Sequence, residues 1–302
     1  MSRSGTVDGV LVRRADDRMH TEIDWLDSRH SFSFGAHYDP DDTHFGLLLV
    51  SNDDRVKAGS GFETHPHRDT EIVTWVLAGS LVHQDSTGHS GVIHPGLAQR
   101  MSAGSGILHS EKNDAFRADP ATPATDVHFV QMWVAPDTSG VTPGYEQLDI
   151  TAELDEGGLV VVASGVPRHV DQRAISLRQK DAALHAARLL PAGTVRLPAA
   201  PYVHLFVARG TVEVEGAGRL ADGDAARITA SDGRRVTAGA DGAEILVWRC
   251  TPPCAEHPFR RARPGTAVDP DVERRPGRGR SEVGCGEGVG AGRVTASVSR
   301  WA

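Results

Sequence analysis

Two short segments of this chain carry residue types that could do chemistry together. One is His65-Pro66-His67 within THPHRDTE; the other is His109-Ser110-Glu111 within GSGILHSEKN. Each pair is spaced i, i+2. On a β-strand, side chains two apart share a face, so both members of each pair can enter one cavity. Three neutral imidazoles and an ionised carboxylate suit a borderline divalent cation such as iron, manganese, nickel, copper or zinc. The absence of sulfur from the set weighs against a closed structural zinc site. Four protein donors leave room for water, a chelating substrate or dioxygen. The chain has 15 histidines, so one such pair can arise by chance. Glu71 four residues after His67 and Asn113 four after His109, each beside a Gly-punctuated strand, favour a real site.

The surrounding sequence must supply strands. THFGLLLVSND runs into Asn52-Asp53-Asp54, which reads as a turn. TEIVTWVLAG is rich in β-branched and aromatic residues and stops at Gly79-Ser80. SLVHQDSTGHSGVIH has turn chemistry at Ser86-Thr87-Gly88, and GLAQRMSAGSGILHSE and the alternating VHFVQMWVAP follow. Short strands this close together predict an all-β sandwich or barrel. The one local helix candidate is IDWLDS around Trp25.

Residues from about 146 to 254 repeat the texture without the chemistry: GLVVVASG, AALHAARLL, YVHLFVARGTVEVEG, AARITASDG and AEILVWRC read as strands. YVHLFVARGTVEVEG matches EIVTWVLAGSLVHQD as strand, small residue plus Gly, strand. A duplicated β-barrel is expected, with the metal site in one copy only. This gives a barrel over 1–145, a second without ligands over 146–254, and a Gly-, Arg- and Pro-rich tail over 255–302. That tail has too few large apolar groups to offset its ordering entropy and is expected to be disordered.

Composition excludes other classes. Apolar residues make up 39% and charged residues 24% of 302, an ordinary globular balance. A net charge of −8 gives no basic surface for nucleic acid. No apolar run approaches a membrane span, and the N-terminal segment has no secretory h-region, so a cytoplasmic protein is expected. Cys250, Cys254 and Cys285 are too few and too late for a disulfide framework, and read as ordinary thiols.

Other tempting residues have plainer readings. His83, His89 and His94 lie between the two motifs, near enough in sequence to approach the pocket, but read first as hairpin surface positions. Trp75 and Trp133 read as core ahead of substrate-stacking platforms, while core packing and an apolar pocket for a flat ligand explain Met101 and Phe45 equally well. His204, alone on an apolar strand, reads as a satisfied core histidine.

The motifs also resemble a known family. HPHRDTEIVTWVLAG looks like the first cupin motif and MSAGSGILHSEKN like the second. Together with VHQDSTGHSG, QMWVAP, HSFSFGAHYDP and GVTPGYEQ, they resemble the pirin family of bicupins, closest to its bacterial quercetin 2,3-dioxygenase-like members, over about residues 8 to 250. The resemblance implies two cupin-type jelly-roll barrels in tandem and a metal held by His65, His67, His109 and Glu111. The general cupin pattern would instead take Glu71 as the acidic ligand; the intact HSE segment favours Glu111. The implied metal is Fe(II), with Mn, Ni, Cu, Co and Zn as alternatives. The implied reaction is cleavage of a flavonol such as quercetin with O2. A carboxylate, Glu111 first and Glu71 in reserve, would take the hydroxyl proton of the small aromatic substrate. The same ligands would also serve a regulatory module that binds a protein partner without catalysis.

Overall fold

A computed structural model describes residues 9–119 and 121–251. Its strands form three sheets. A seven-stranded sheet runs β12 (Gly144–Asp149), β9 (Leu97–Ser102), β6 (Glu71–Ala78), β11 (Val127–Val134), β4 (Leu48–Val56), β3 (Leu26–His30), β2 (Met19–Ile23). A four-stranded sheet runs β5 (Gly61–His67), β10 (Ile107–Lys112), β7 (Leu81–Asp85), β8 (Ser90–Ile93). These two make the first barrel. The nine-stranded sheet of the second runs β1 (Val10–Arg13), β19 (Ala225–Ser231), β17 (Ala200–Val214), β20 (Arg235–Cys250), β15 (Ala182–Leu189), β13 (Val160–Ser164), β14 (Ile175–Ser176). There β16 (Thr194–Arg196) pairs with β20 and β18 (Gly218–Ala221) with β17. The fold is all-β with two barrels in tandem, as the sequence texture implies. The N-terminal strand β1 lies in the second barrel's sheet, beside β19. Among the described residues, no helix is long and apolar enough to cross a membrane.

Strand alternation explains where the core sits. On β6, Val73, Trp75 and Leu77 face outward; on β11, Val130, Met132 and Val134 do the same. They pack against Leu184, Ala186, Phe206, Leu246 and Trp248 of the second barrel, so the largest apolar cluster lies between the barrels. Burial on both faces is why these strands read as near-continuous apolar runs. The same strands turn Ile72, Thr74 and Val76, and Phe129, Gln131 and Trp133, into the first barrel. Its interior has two small apolar clusters, one with Val56, Leu81 and Phe129, the other with Ile72, Met101 and Ile107. The second barrel is filled by aliphatic residues such as Val203, Leu205, Val207, Ile245 and Val247.

The buried Trp75 Nε1 donates to Glu244 Oε1 across the interface at 2.8 Å. Glu71, the reserve candidate for the metal, is also an interface residue. Its Oε2 accepts from Ser102 Oγ at 2.9 Å and from the Arg178 backbone at 3.1 Å.

Three local expectations are corrected. IDWLDS is not helical: β2 and β3 form a hairpin with its turn at Asp24 and Trp25, and Trp25 packs edge-on against Phe62 at 5.2 Å. Asn52-Asp53-Asp54 is not a turn but the middle of β4. Turn-forming side chains are tolerated there because each finds a hydrogen-bonding partner: Asn52 with His30, Asp53 with His128 and Asp54 with Ser28. The third concerns the repeat. EIVTWVLAGSLVHQD makes two strands, β6 and β7, whereas YVHLFVARGTVEVEG is the single strand β17 with register shifts around Gly210. The local geometry is nonetheless shared: Gly79 has φ 73° and Gly210 φ 76°. A Cβ would stand 2.8 Å from Asp126 O at the first and 2.2 Å from Gly242 O at the second. Both positions demand glycine. The tail from 252 onward, with Cys254 and Cys285, lies outside the described residues; Cys250 is a buried free thiol.

Candidate metal centre

The four-stranded sheet presents the histidines. His65 lies directly opposite His109 on β5 and β10, and His67 opposite Ile107. On the other side of β10, His109 pairs with Asp85 and Glu111 with His83 on β7. Directly opposed residues share a face, so this whole set points into the first barrel. Pro66, which cannot donate to a ladder, is tolerated because β5 is an edge strand.

The side chains converge. One ring nitrogen each of His65, His67 and His109 lies within 4.8 Å of the others. Atoms of His83, His109 and Glu111 form a second such group, sharing His109 with the first. Glu111 therefore stands beside the three-imidazole group without being part of it. Ring centroids of His65 and His109 are 4.5 Å apart, and those of His67 and His109 are 4.9 Å apart. Glu71 belongs to neither group. Asn113 is structural, its Nδ2 donating to the carbonyls of Val56 and Thr125.

The imidazoles suit a cation. Burial first, then the neighbouring imidazoles, lowers the pKa of His67 to about 3 and that of His109 to about 2. Both are neutral near pH 7, with a lone pair to give. His67 Nε2 and His109 Nε2 are buried with no hydrogen-bond partner. Two adjacent orphaned nitrogens are expensive unless something binds them. His65 Nδ1 donates to Glu63 O at 2.6 Å, which leaves its Nε2 as the lone-pair atom. The donor set is thus imidazole nitrogen plus carboxylate oxygen, and a divalent metal fits it.

The facing sheet positions the carboxylate. Gln131 Nε2 donates to both Glu111 oxygens, at 2.9 and 2.8 Å. The amide cannot turn round, because Gln131 Oε1 accepts from Trp133 Nε1 at 3.1 Å. Thr74 Oγ1 adds a longer contact at 3.4 Å. Trp133 also stands edge-on to His67 at 4.8 Å, and Phe34 edge-on to Trp133 at 5.6 Å. Trp133, expected in the core, is a half-buried wall of the histidine cluster. Trp75 and Met101 are core, and Phe45 packs edge-on against Tyr202 at the barrel interface.

His89 and His94 are exposed, as expected. His83 is not a surface residue: its exposure is 0%, and its Nδ1 lies 3.5 Å from His109 Nδ1. The opposed register of β7 and β10 folds it inward. Asp85 beside it is held at a pKa of about 2; burial alone would raise it, but hydrogen bonds from Thr87, His83 and His89 prevail. His204 is buried at the barrel interface, 5.7 Å from the Phe32 ring, and belongs to neither donor group, but its Nε2 has no hydrogen-bond partner, so it is not the satisfied histidine expected. Sequence reasoning missed Gln131, Thr74, Phe34, Asp85 and Tyr145, whose ring stacks on His83 at 4.8 Å. A signal existed for Gln131: it is a polar residue at an inward position of an otherwise apolar strand.

Asp54, deeper in the same barrel, has its pKa pushed up to about 7 by burial, partly offset by the Ser28 hydroxyl. The folded value lies above the ordinary carboxylate value of 3.8. Its contribution to stability is therefore full below about pH 4 and is lost as pH rises through 7. Asp54→Asn, which keeps an acceptor for Ser28, should flatten that slope. It should gain roughly 2–4 kcal/mol relative to wild type between pH 5 and pH 8. Urea denaturation at the two pH values measures it, and an unchanged difference would refute the assignment.

Comparison with known proteins agrees with this architecture. The Pirin family model matches residues 12–134, and the model described as quercetinase C-terminal cupin domain matches 161–248. A Mycobacterium bovis protein with the provisional name quercetin 2,3-dioxygenase is 59% identical over 240 residues, 79% of this chain and 94% of that protein. The quercetin 2,3-dioxygenase of Escherichia coli K12 is 46% identical over 139 residues, 46% of this chain and 57% of the enzyme. Among solved structures, a bacterial pirin from Escherichia coli in complex with nickel(II) superposes with a TM-score of 0.70 at 34% identity, covering 80% of this chain and 99% of that one.

Proposed function

The chain belongs to the pirin family, and from that membership together with the histidine cluster we propose that it is a metal-dependent dioxygenase that cleaves flavonols such as quercetin with O2. The observation that carries the reading is the convergence of three neutral imidazoles, two with orphaned buried nitrogens, beside one clamped carboxylate. The proposed ligands are His65, His67, His109 and Glu111, all on β5 and β10 of the first barrel; among the described residues, the second barrel supplies none. Iron(II) is the proposed metal, and manganese, nickel, copper, cobalt or zinc satisfies the same donor chemistry. When bound, the cation supplies Lewis acidity that lowers the pKa of a coordinated substrate hydroxyl.

The chain's own residues do the rest. Glu111, with both oxygens held by Gln131, is poised to accept the hydroxyl proton. Trp133 and Phe34 offer an aromatic wall beside His67 for a flat ring system.

Oxygen uptake by iron-loaded protein with a panel of flavonols tests the reading. Consumption of dioxygen with flavonol cleavage is expected. Cleavage that persists under anaerobic conditions, or inertness toward the whole panel, would reject it.

A further inference from the structure

His109 does not stand alone behind the metal centre. Its Nδ1 meets His83 Nδ1 at 3.5 Å, and His83 Nε2 meets Asp85 Oδ2 at 3.3 Å. All three side chains are buried, with His83 and Asp85 fully so. The protons in this row can be assigned. A carboxylate oxygen can only accept, so a neutral His83 carries its proton on Nε2 and presents a lone pair at Nδ1. His109 must then carry its proton on Nδ1, which leaves Nε2, the buried atom without a partner, as the free lone pair. Tyr145 stacks on His83 at 4.8 Å with 30° between the rings and fixes its plane.

We propose that Asp85 and His83 form a positioning relay that sets the tautomer of His109 and so makes its Nε2 available to the metal. The relay rests on the reading of this cluster as a metal centre, and assigns His83, which also stands among the potential donors with His109 and Glu111, to the row behind His109 rather than to the metal. It lengthens the usual carboxylate-behind-histidine arrangement by one imidazole.

Asp85 is built so that the proposal can be tested without breaking the hairpin. Its Oδ1 accepts from Thr87 N at 2.9 Å, Thr87 Oγ1 at 2.7 Å and His89 N at 3.1 Å, while Oδ2 faces His83 Nε2 and the exposed His89 ring. Asp85→Asn can keep Oδ1 for the turn and place its NH2 where Oδ2 was. His83 then becomes the acceptor at Nε2 and the donor at Nδ1. His109 must move its proton to Nε2, against the metal.

The experiment is a nickel(II) titration of the full chain and its variants, paired with nitrogen-15 spectra of the metal-free imidazoles. Asp85→Asn should bind nickel about 10- to 100-fold more weakly than wild type. Its thermal midpoint should hold, and the His109 proton should shift from Nδ1 to Nε2. His83→Leu should lose as much affinity, while His83→Gln, whose carbonyl can accept from His109 and whose NH2 can donate to Asp85, should recover most of it. Wild-type affinity in Asp85→Asn with His109 still protonated on Nδ1 would overturn the relay alone. A wild-type chain that takes up no nickel would overturn the relay and the metal-centre reading together.

Discussion

Replacing His109 by alanine should strip the protein of its metal. His109 is the one side chain common to both groups of potential donors, and it stands at the centre of the sheet that carries them. Without it, His65 and His67 on the edge strand lose the one β10 imidazole that converges with them, and only Glu111 remains from that strand. The loss should exceed the roughly 10- to 100-fold typical of an outer-shell change, reaching about 1,000-fold or more in affinity. Flavonol cleavage should fall to background. Calorimetric titration with nickel(II) measures the first effect and oxygen uptake the second. Circular dichroism separates both from unfolding, since Trp75, Trp248 and the inter-barrel core are untouched. Retention of metal by a folded His109→Ala protein would mean that the ion sits elsewhere.

Glu111→Gln should have the second-largest effect, on turnover more than on substrate binding. The carboxylate now accepts from Gln131 Nε2 with both oxygens. An amide there has only one acceptor, so its NH2 faces another NH2, and it cannot take a proton at neutral pH. A fall in kcat of about 100- to 10,000-fold is expected for loss of a positioned base, with KM changed far less. The donor clash should also cost about 1–3 kcal/mol of stability, seen in urea denaturation. Undiminished kcat in the folded variant would remove Glu111 from its proposed role and leave the base unassigned.

The i, i+2 pairs were legible because strand geometry is local: alternation alone carries His65 with His67 and His109 with Glu111. The β-barrel architecture was legible for the same reason, since strands and Gly turns leave short-range patterns. What could not be read was pairing between strands. His83 in VHQD looks like a hairpin histidine until β7 is set in register with β10, which places it opposite Glu111. Gln131 and Trp133 join the centre only because the second sheet folds over the first. Asp53 and Asp54 misled because their turn propensity is local, while the partners that keep them in β4 come from β3 and β11. Trp25 misled similarly: IDWLDS has local helical character, but pairing of β2 with β3 overrides it.

X-ray absorption at the metal edge of the nickel-loaded full chain is the most direct measurement of the centre. One ion per chain is expected, in a shell of nitrogen and oxygen donors that includes three imidazoles. Sulfur in that shell would place the ion on Cys250, Cys254 or Cys285 instead. That result, or a chain that takes up no ion at all, would contradict a metal centre in the first barrel.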